Sequence, residues 1–196
     1  MTDVSYEITP LTPETWDLFE DLNVRAGGMF ARCWCVAFHA DREDRVPGYD
    51  GNRAFKKVMV DEGIAHAALV VDDGVAVAWA EYGTPEELPD IHHRKQYDAT
   101  NERHVDYRVT CIKVDKKRRR EGLAEVALRG AVDLIAQAGG GVVEGYPHDL
   151  TNVTKKTSSS FLYNGTRSMY ERVGFAYDRP KGQGNCVMVR TVEPAS

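Results

Sequence analysis

The stretch VDYRVTCIKVDKKRRREGLAEVALRGAVDLIAQAGG, residues 105–140, constrains the fold more than any other part of the chain. It reads as a strand that runs through a short basic turn and a glycine straight into a long helix. In the strand, Val105, Tyr107, Val109 and Cys111 alternate, and Ile112 and Val114 then follow on the other parity. Such a change of phase predicts a bulge, or a strand buried on both faces. The helix is expected from about Glu121 to Ala138. Leu123, Ala127, Ala131, Leu134 and Ala138 recur at helical spacing, with Leu128 and Ile135 widening the stripe. Glu125, Arg129 and Asp133 line the opposite face, and Gly139 to Gly141 end the run. A strand feeding an amphipathic helix must lay that helix back on its own sheet.

The rest of the chain supplies more of both kinds of element. Residues 4–12 alternate as an edge strand. A helix follows, with Thr12 as N-cap, Pro13 at its first position and Gly27-Gly28 as its stop. GNRAFKKVMVDEG suggests a second helix ending at Gly63. Two β-rich runs joined by Asp72-Asp73-Gly74 give a clear hairpin signal. Residues 84–104 are a polar excursion with room for a short helix. GVVEGYP is a short strand, residues 151–160 a polar loop, GTRSMYERVGF a helix capped near Thr166 and stopped at Gly174, and NCVMVRTV a closing strand. Hairpin early and strand–helix–strand late predict an α/β fold of three layers (α+β), with no repeat and no internal linker. One globular domain over residues 1–196 is expected, and 42% hydrophobic content suffices for its core.

Lys116 to Arg120 are five consecutive basic residues in a chain whose net charge is −5. A sequence-blind nucleic-acid binder needs a broad basic surface, so the run calls for a local cause and no nucleic-acid partner is expected. No apolar stretch approaches a membrane span, and the first residues lack a charged-then-apolar signal pattern. Four cysteines at these spacings do not resemble a disulfide framework. A cytoplasmic protein with reduced thiols follows as the expectation.

A local cause is available in the turn itself. A helix N-terminus presents unpaired N–H groups and the positive end of its dipole, which together favour an anion. Gly122 and Ala124 let a phosphate approach the backbone, and Arg119 adds fixed charge. Neither the GxxxxGK[ST] loop nor the GxGxxG fingerprint is present. Taken alone, the basic run could equally be a solvated turn.

VDKKRRREGLA resembles the signature of the GNAT superfamily of acyl-CoA-dependent N-acyltransferases, Q/R-x-x-G-x-G/A after a strand ending in valine. Arg119, Gly122 and Ala124 fill its defined positions. SMYERVGF is similar to the superfamily's later Y-x-x-x-G-F helix, through Tyr170, Gly174 and Phe175, and CWC, VVEGYP and FLYNGT resemble one bacterial branch. The resemblance spans roughly residues 105–190. It implies the GNAT fold: a mixed, mostly antiparallel central sheet of about six to seven strands, splayed at the cofactor strand pair and flanked by helices. It also implies acetyl-CoA as cosubstrate and direct transfer of acetyl to a primary amine, in a small molecule or a peptide. The pyrophosphate would rest on Arg119, Arg120, Glu121, Gly122, Leu123 and Ala124. The pantetheine would lie along Ile112, Lys113 and Val114, and a backbone N–H near Ile112 or Lys113 would polarise the thioester carbonyl. Tyr170 would protonate the leaving thiolate. Glu81 and Glu144 are the two candidate bases, each equally readable as a solvated or hydrogen-bonded carboxylate. Homodimers are common in the superfamily. Lys116 replaces a frequent proline, and Asn164 is out of step with the asparagine that relatives place before the tyrosine helix.

Other readings compete. Cys33, Cys35 and His39 invite a metal, but CxC is not the usual knuckle and no second pair follows, so no metal is expected. Trp34 and Phe38 suit a wall of the acceptor pocket or the core, and Cys111 and Cys186 suit small core residues. His148 and Asp149 fit acceptor contacts or a turn. The same fold could also serve as an acyl-CoA-binding regulatory or sensor module without turnover.

Overall fold

The computed structural model describes residues 6–27, 32–40, 43, 45–151 and 162–196. Seven strands form one sheet in the order β1-β2-β3-β4-β5-β7-β6. They are β1 (Glu7–Pro10), β2 (His66–Asp72), β3 (Val75–Gly83), β4 (Tyr107–Val114), β5 (Gly141–Gly145), β6 (Ala176–Lys181) and β7 (Asn185–Val192). All pairings are antiparallel except that of β4 with β5. Among the described residues, five α-helices accompany the sheet: α1 (Trp16–Ala26), α2 (Tyr49–Asp61), α3 (Arg94–Thr100), α4 (Leu123–Gln137) and α5 (Arg167–Arg172). The three-layer α+β expectation therefore holds.

Local chemistry sets the ends of these elements. The Thr12 amide donates to Thr15 Oγ1 at 2.8 Å, and a short 3₁₀ turn over Pro13–Thr15 leads into α1. The second helix starts two residues ahead of the stretch the sequence marks out and ends before Gly63. Asp73 (φ 49°) and Gly74 (φ 75°) both take the left-handed conformation that a two-residue hairpin turn of primed type needs. Thr166 caps α5, its hydroxyl accepting from the Met169 amide at 3.4 Å. Gly28 and residues 152–160 of the expected polar loop lie outside the described residues.

Two apolar cores clothe the two faces. On one, α4 and α5 cover Ala78, Ala80, Val109, Ile112 and Val143, with Leu123, Ala127, Leu128, Ala131 and Ile135 as the buried stripe of α4. Gly130 belongs to this packing, since a Cβ there would come within 2.8 Å of Ile8. On the other face, Trp16, Phe19, Trp34, Phe38, Phe55 and Met59 cover Leu69, Trp79 and Cys111. Trp34 and Phe38 thus join a core layer, with Trp34 stacked 6.0 Å from Trp16.

The change of phase in β4 is a bulge. Glu81 pairs with Cys111 but Tyr82 pairs with Val109, so Thr110 has no opposite number. Val109 and Ile112 consequently face the α4 side, and Cys111 faces the other. β6 was not anticipated. Tyr177 to Lys181 include Pro180 and carry little apolar pattern, which an edge strand tolerates and a central strand does not.

Candidate functional site

β4 and β5 part company in mid-sheet. They pair at Tyr107↔Val143, Arg108↔Glu144 and Val109↔Gly145, and beyond Val109 no β5 residue pairs with β4. The bulge at Thr110 starts where the pairing stops. An extra residue turns β4 away from its parallel neighbour, and the two strands open as a V.

The basic turn closes one end of that V. Asp115 follows β4, accepts from the Lys117 amide at 2.9 Å and pairs with Arg25 at the end of α1. Lys116–Arg118 form a 3₁₀ turn. Arg118 is committed to Asp72 at 2.7 Å and to Glu121 at 2.6 Å, whereas Lys117, Arg119 and Arg120 are exposed. Arg120 (φ 70°) and Gly122 (φ 78°) are left-handed, and a Cβ on Gly122 would meet nothing within 4 Å. The glycine thus serves the turn of the chain and leaves open space above the first turn of α4. Leu123 and Ala124 open that helix, so their amides have no intrahelical acceptor. This is an exposed backbone turn whose Lys117, Arg119 and Arg120 have no ion-pair partner among the described residues, and its chemistry fits a pyrophosphate.

Tyr170 lies on the α4 side of the V. Its ring covers Gly145 so closely that a Cβ there would sit 2.1 Å from Cε1 and 2.8 Å from the hydroxyl oxygen. The residue is fully buried, and its hydroxyl has no hydrogen-bond partner among the described residues. Burial pushes its pKa far up, so the hydroxyl stays protonated. A buried donor left without an acceptor costs stability, and an absent ligand atom is one physical explanation for its retention.

Glu81 and Glu144 both sit on the opposite face. Glu81 is 1% exposed and anchors a closed cluster. Its Oε1 accepts from Lys56 Nζ at 2.6 Å, and its Oε2 accepts from Thr110 Oγ1 at 2.7 Å, inside the bulge. His39 completes the cluster. Its Nδ1 lies 2.9 Å from the Glu87 carbonyl and so carries the proton, leaving Nε2 to accept from Lys56 at 2.9 Å. Burial would raise the Glu81 pKa, but the Lys56 ammonium beside it outweighs burial and holds it at about 2. Burial and the Lys56 charge lower that of His39, which stays neutral. A carboxylate held so low is a weak base.

Glu144 is placed differently. Its Oε2 accepts from Tyr97 at 2.7 Å and Tyr146 at 3.0 Å, while Oε1 has no hydrogen-bond donor among the described residues. Arg103 and Arg179 approach that oxygen only to 3.9 and 4.0 Å. Neighbouring positions on β5 thus present a carboxylate to one face and, at Gly145, a tyrosine hydroxyl to the other.

The backbone donors along β4 are distinguishable. Ile112 N–H points into the V and donates to the Tyr163 carbonyl at 2.7 Å. Lys113 is paired with Trp79 of β3, and its side chain reaches Asn23 at 2.6 Å on the α1 side. Of the two amides expected near the thioester, only that of Ile112 faces the opening. Sequence reasoning missed Lys56, His39 as its partner, and Tyr163. Lys56 lies one turn before Val60 on the apolar stripe of α2, and that placement was the available signal.

Cys35 and Cys111 are buried with their sulfurs 2.9 Å apart, and Cys33 is half-buried nearby. No cluster of three or more metal-ligating side chains occurs among the described residues. No described helix is long and apolar enough to cross a membrane. Asn164 donates to the Tyr146 carbonyl at 3.1 Å, and Asp149 pairs with Arg167 at 3.2 Å.

No protein-family model and no curated protein sequence matches the chain. Solved structures do. A candidate acetyltransferase of the GNAT family from Desulfovibrio desulfuricans is 15% identical, with a TM-score of 0.52 over 96% of this chain and 99% of its own. A protein described as histone acetyltransferase HPA2 and related acetyltransferase, from Corynebacterium glutamicum, is 16% identical with a TM-score of 0.52 over 98% of each chain. The PaiA N-acetyltransferase of Thermoplasma acidophilum, solved in complex with coenzyme A, is 13% identical with a TM-score of 0.51 over 95% of this chain and 99% of its own. The chain has the GNAT fold.

Proposed function

We propose that the chain belongs to the GNAT superfamily and is an acyl-CoA-dependent N-acyltransferase, moving acetyl from acetyl-CoA directly to a primary amine. The observation that carries this reading is the conjunction at β4. The strand bulges and splays from β5, ends on an open cationic helix N-terminus, and faces across Gly145 a buried tyrosine hydroxyl without a partner among the described residues. Acetyl-CoA supplies the activated thioester. The backbone N–H groups of Arg119, Arg120, Glu121, Gly122, Leu123 and Ala124 hold the pyrophosphate, and the Arg119 and Arg120 side chains add positive charge. Ile112, Lys113 and Val114 line the pantetheine's path, and the Ile112 amide polarises the acyl carbonyl. Tyr170 donates to the sulfur as the carbon–sulfur bond breaks.

The acceptor amine must shed a proton first, because a free alkyl ammonium has a pKa of about 10. Glu144 is the better candidate to take it, because its Oε1 is an acceptor to which no described residue donates. Glu81 serves instead to fix the bulge through Thr110. The test is release of free coenzyme A thiol with a panel of polyamines, aminoglycosides and lysine peptides. Turnover that Glu144→Gln lowers roughly 100-fold supports this assignment. A second reading, an acyl-CoA-binding sensor, is favoured by the engagement of Glu81 with Lys56, which leaves one of the two candidate bases neutralised. Tight acetyl-CoA binding with no thiol release for any amine would select it.

A further inference from the structure

Residues 162–165 occupy the part of the V where the acyl group would lie. The Tyr163 carbonyl accepts from Ile112 N–H at 2.7 Å on the β4 side. On the β5 side, Asn164 Nδ2 donates to the Tyr146 carbonyl at 3.1 Å, and the His148 amide donates to the Gly165 carbonyl at 3.1 Å. The Arg167 amide returns a bond to the His148 carbonyl at 2.9 Å. This short strap therefore ties the two diverging strands together. The Tyr163 ring is seated among Phe38, His92 and His148, with centroids 6.2, 5.9 and 6.1 Å away.

A peptide carbonyl and a thioester carbonyl place the same demand on an N–H donor. Each offers an sp² oxygen, and a single amide hydrogen serves one of them well. We propose that the strap is an internal competitor. The Tyr163 carbonyl holds the acyl-carbonyl position on Ile112, and an acyl-CoA engages that amide only after the strap withdraws. This rests on the acyl-CoA reading above and adds a regulation of the same site. Exchange of one carbonyl for the other conserves the hydrogen bond. Displacement therefore costs the packing of the Tyr163 ring and the strap's bonds to the β5 side through Asn164 and Gly165. Apparent affinity for an acyl-CoA equals the intrinsic affinity scaled by the fraction of molecules with the strap released. Free coenzyme A has no acyl carbonyl and makes no claim on Ile112, so the strap selects against the loaded form.

The experiment is calorimetric titration of the whole chain with acetyl-CoA and, separately, with coenzyme A. It compares the unmodified protein with Tyr163→Ala and Asn164→Ala, each checked for its melting temperature. Amide hydrogen exchange is followed in the same samples. Tyr163→Ala should bind acetyl-CoA roughly tenfold more tightly and Asn164→Ala roughly threefold, with coenzyme A affinity changed less than about twofold. Exchange at residues 162–165 should accelerate when acetyl-CoA binds the unmodified protein. The inference is overturned if either folded variant binds acetyl-CoA equally or less tightly, or if exchange at 162–165 slows on binding. In both of those cases the acyl-CoA reading stands. If none of the three proteins binds either ligand, the acyl-CoA reading itself fails and the strap inference goes with it.

Discussion

Two charged clusters flank β4, and they are built on opposite principles. At its end, Lys117, Arg119 and Arg120 are exposed on a turn whose glycine looks onto open space. At its bulge, Glu81, Lys56 and His39 are sealed from water and satisfy one another. Exposed like charges keep their hydration and gain when an anion arrives. Buried charges lose hydration on folding and must find partners inside the same chain. The first arrangement is available to a ligand, and the second shapes the strand. Residue type does not separate them, since both are clusters of ionisable side chains, but desolvation does.

The largest expected effect lies in the buried cluster. Lys56→Ala leaves Glu81 ionised without its counter-charge, and breaking a buried pair costs about 3–5 kcal/mol. Thermal unfolding should show a fall of roughly 10 °C. Combining it with Glu81→Leu should recover most of the loss, and failure to recover would mean that the loss does not come from a stranded Glu81 charge. At the exposed turn, Arg120→Ala should leave the melting temperature nearly unchanged.

Acid sharpens the same contrast. Glu81 falls from an ordinary value of 4.5 to about 2 in the folded protein. A depressed carboxylate stabilises the fold above the unfolded pKa, and that stabilisation is lost as pH drops from about 4.5 through about 2. It amounts to about 3 kcal/mol. Denaturant titrations of Glu81→Gln across that window should be flatter than those of the parent. Parallel curves would contradict the ion-pair account.

Tyr170→Phe removes a buried hydroxyl that has no partner among the described residues. Turnover should drop roughly 100-fold with KM little changed, while stability holds or rises slightly. A loss of stability comparable to that of Lys56→Ala would show that the hydroxyl is satisfied within the protein. A small loss of stability is expected at Gly122. Alanine there meets no atom, and the left-handed backbone alone costs about 1 kcal/mol, a shift of a few degrees in melting temperature.

How legible these features were follows the same physical division. The β4–α4 unit was readable because its apolar residues keep a period, and the switch from Val109 to Ile112 exposed the bulge as a break in that period. Helix ends were readable wherever a threonine, proline or glycine marks them, as at Thr12, Gly63 and Thr166. β6 was not, because an edge strand needs pairing on one side only and tolerates Pro180. Lys56 escaped because adjacent Lys56 and Lys57 look alike in sequence, and only the rotation of α2 buries the first. The role of Tyr163 rests on a backbone carbonyl, which every residue carries. No side-chain pattern announces where such a carbonyl will point.

Acyl-CoA chemistry at this site requires that the turn after β4 take a pyrophosphate. The most direct measurement is a calorimetric titration of acetyl-CoA into the unmodified chain and into Arg119→Glu, with the melting temperature of each recorded. Binding weakened roughly 30-fold or more in a variant that melts within a few degrees of the parent is the predicted result. Equal affinity in both proteins would contradict it and return the basic run to a solvated turn.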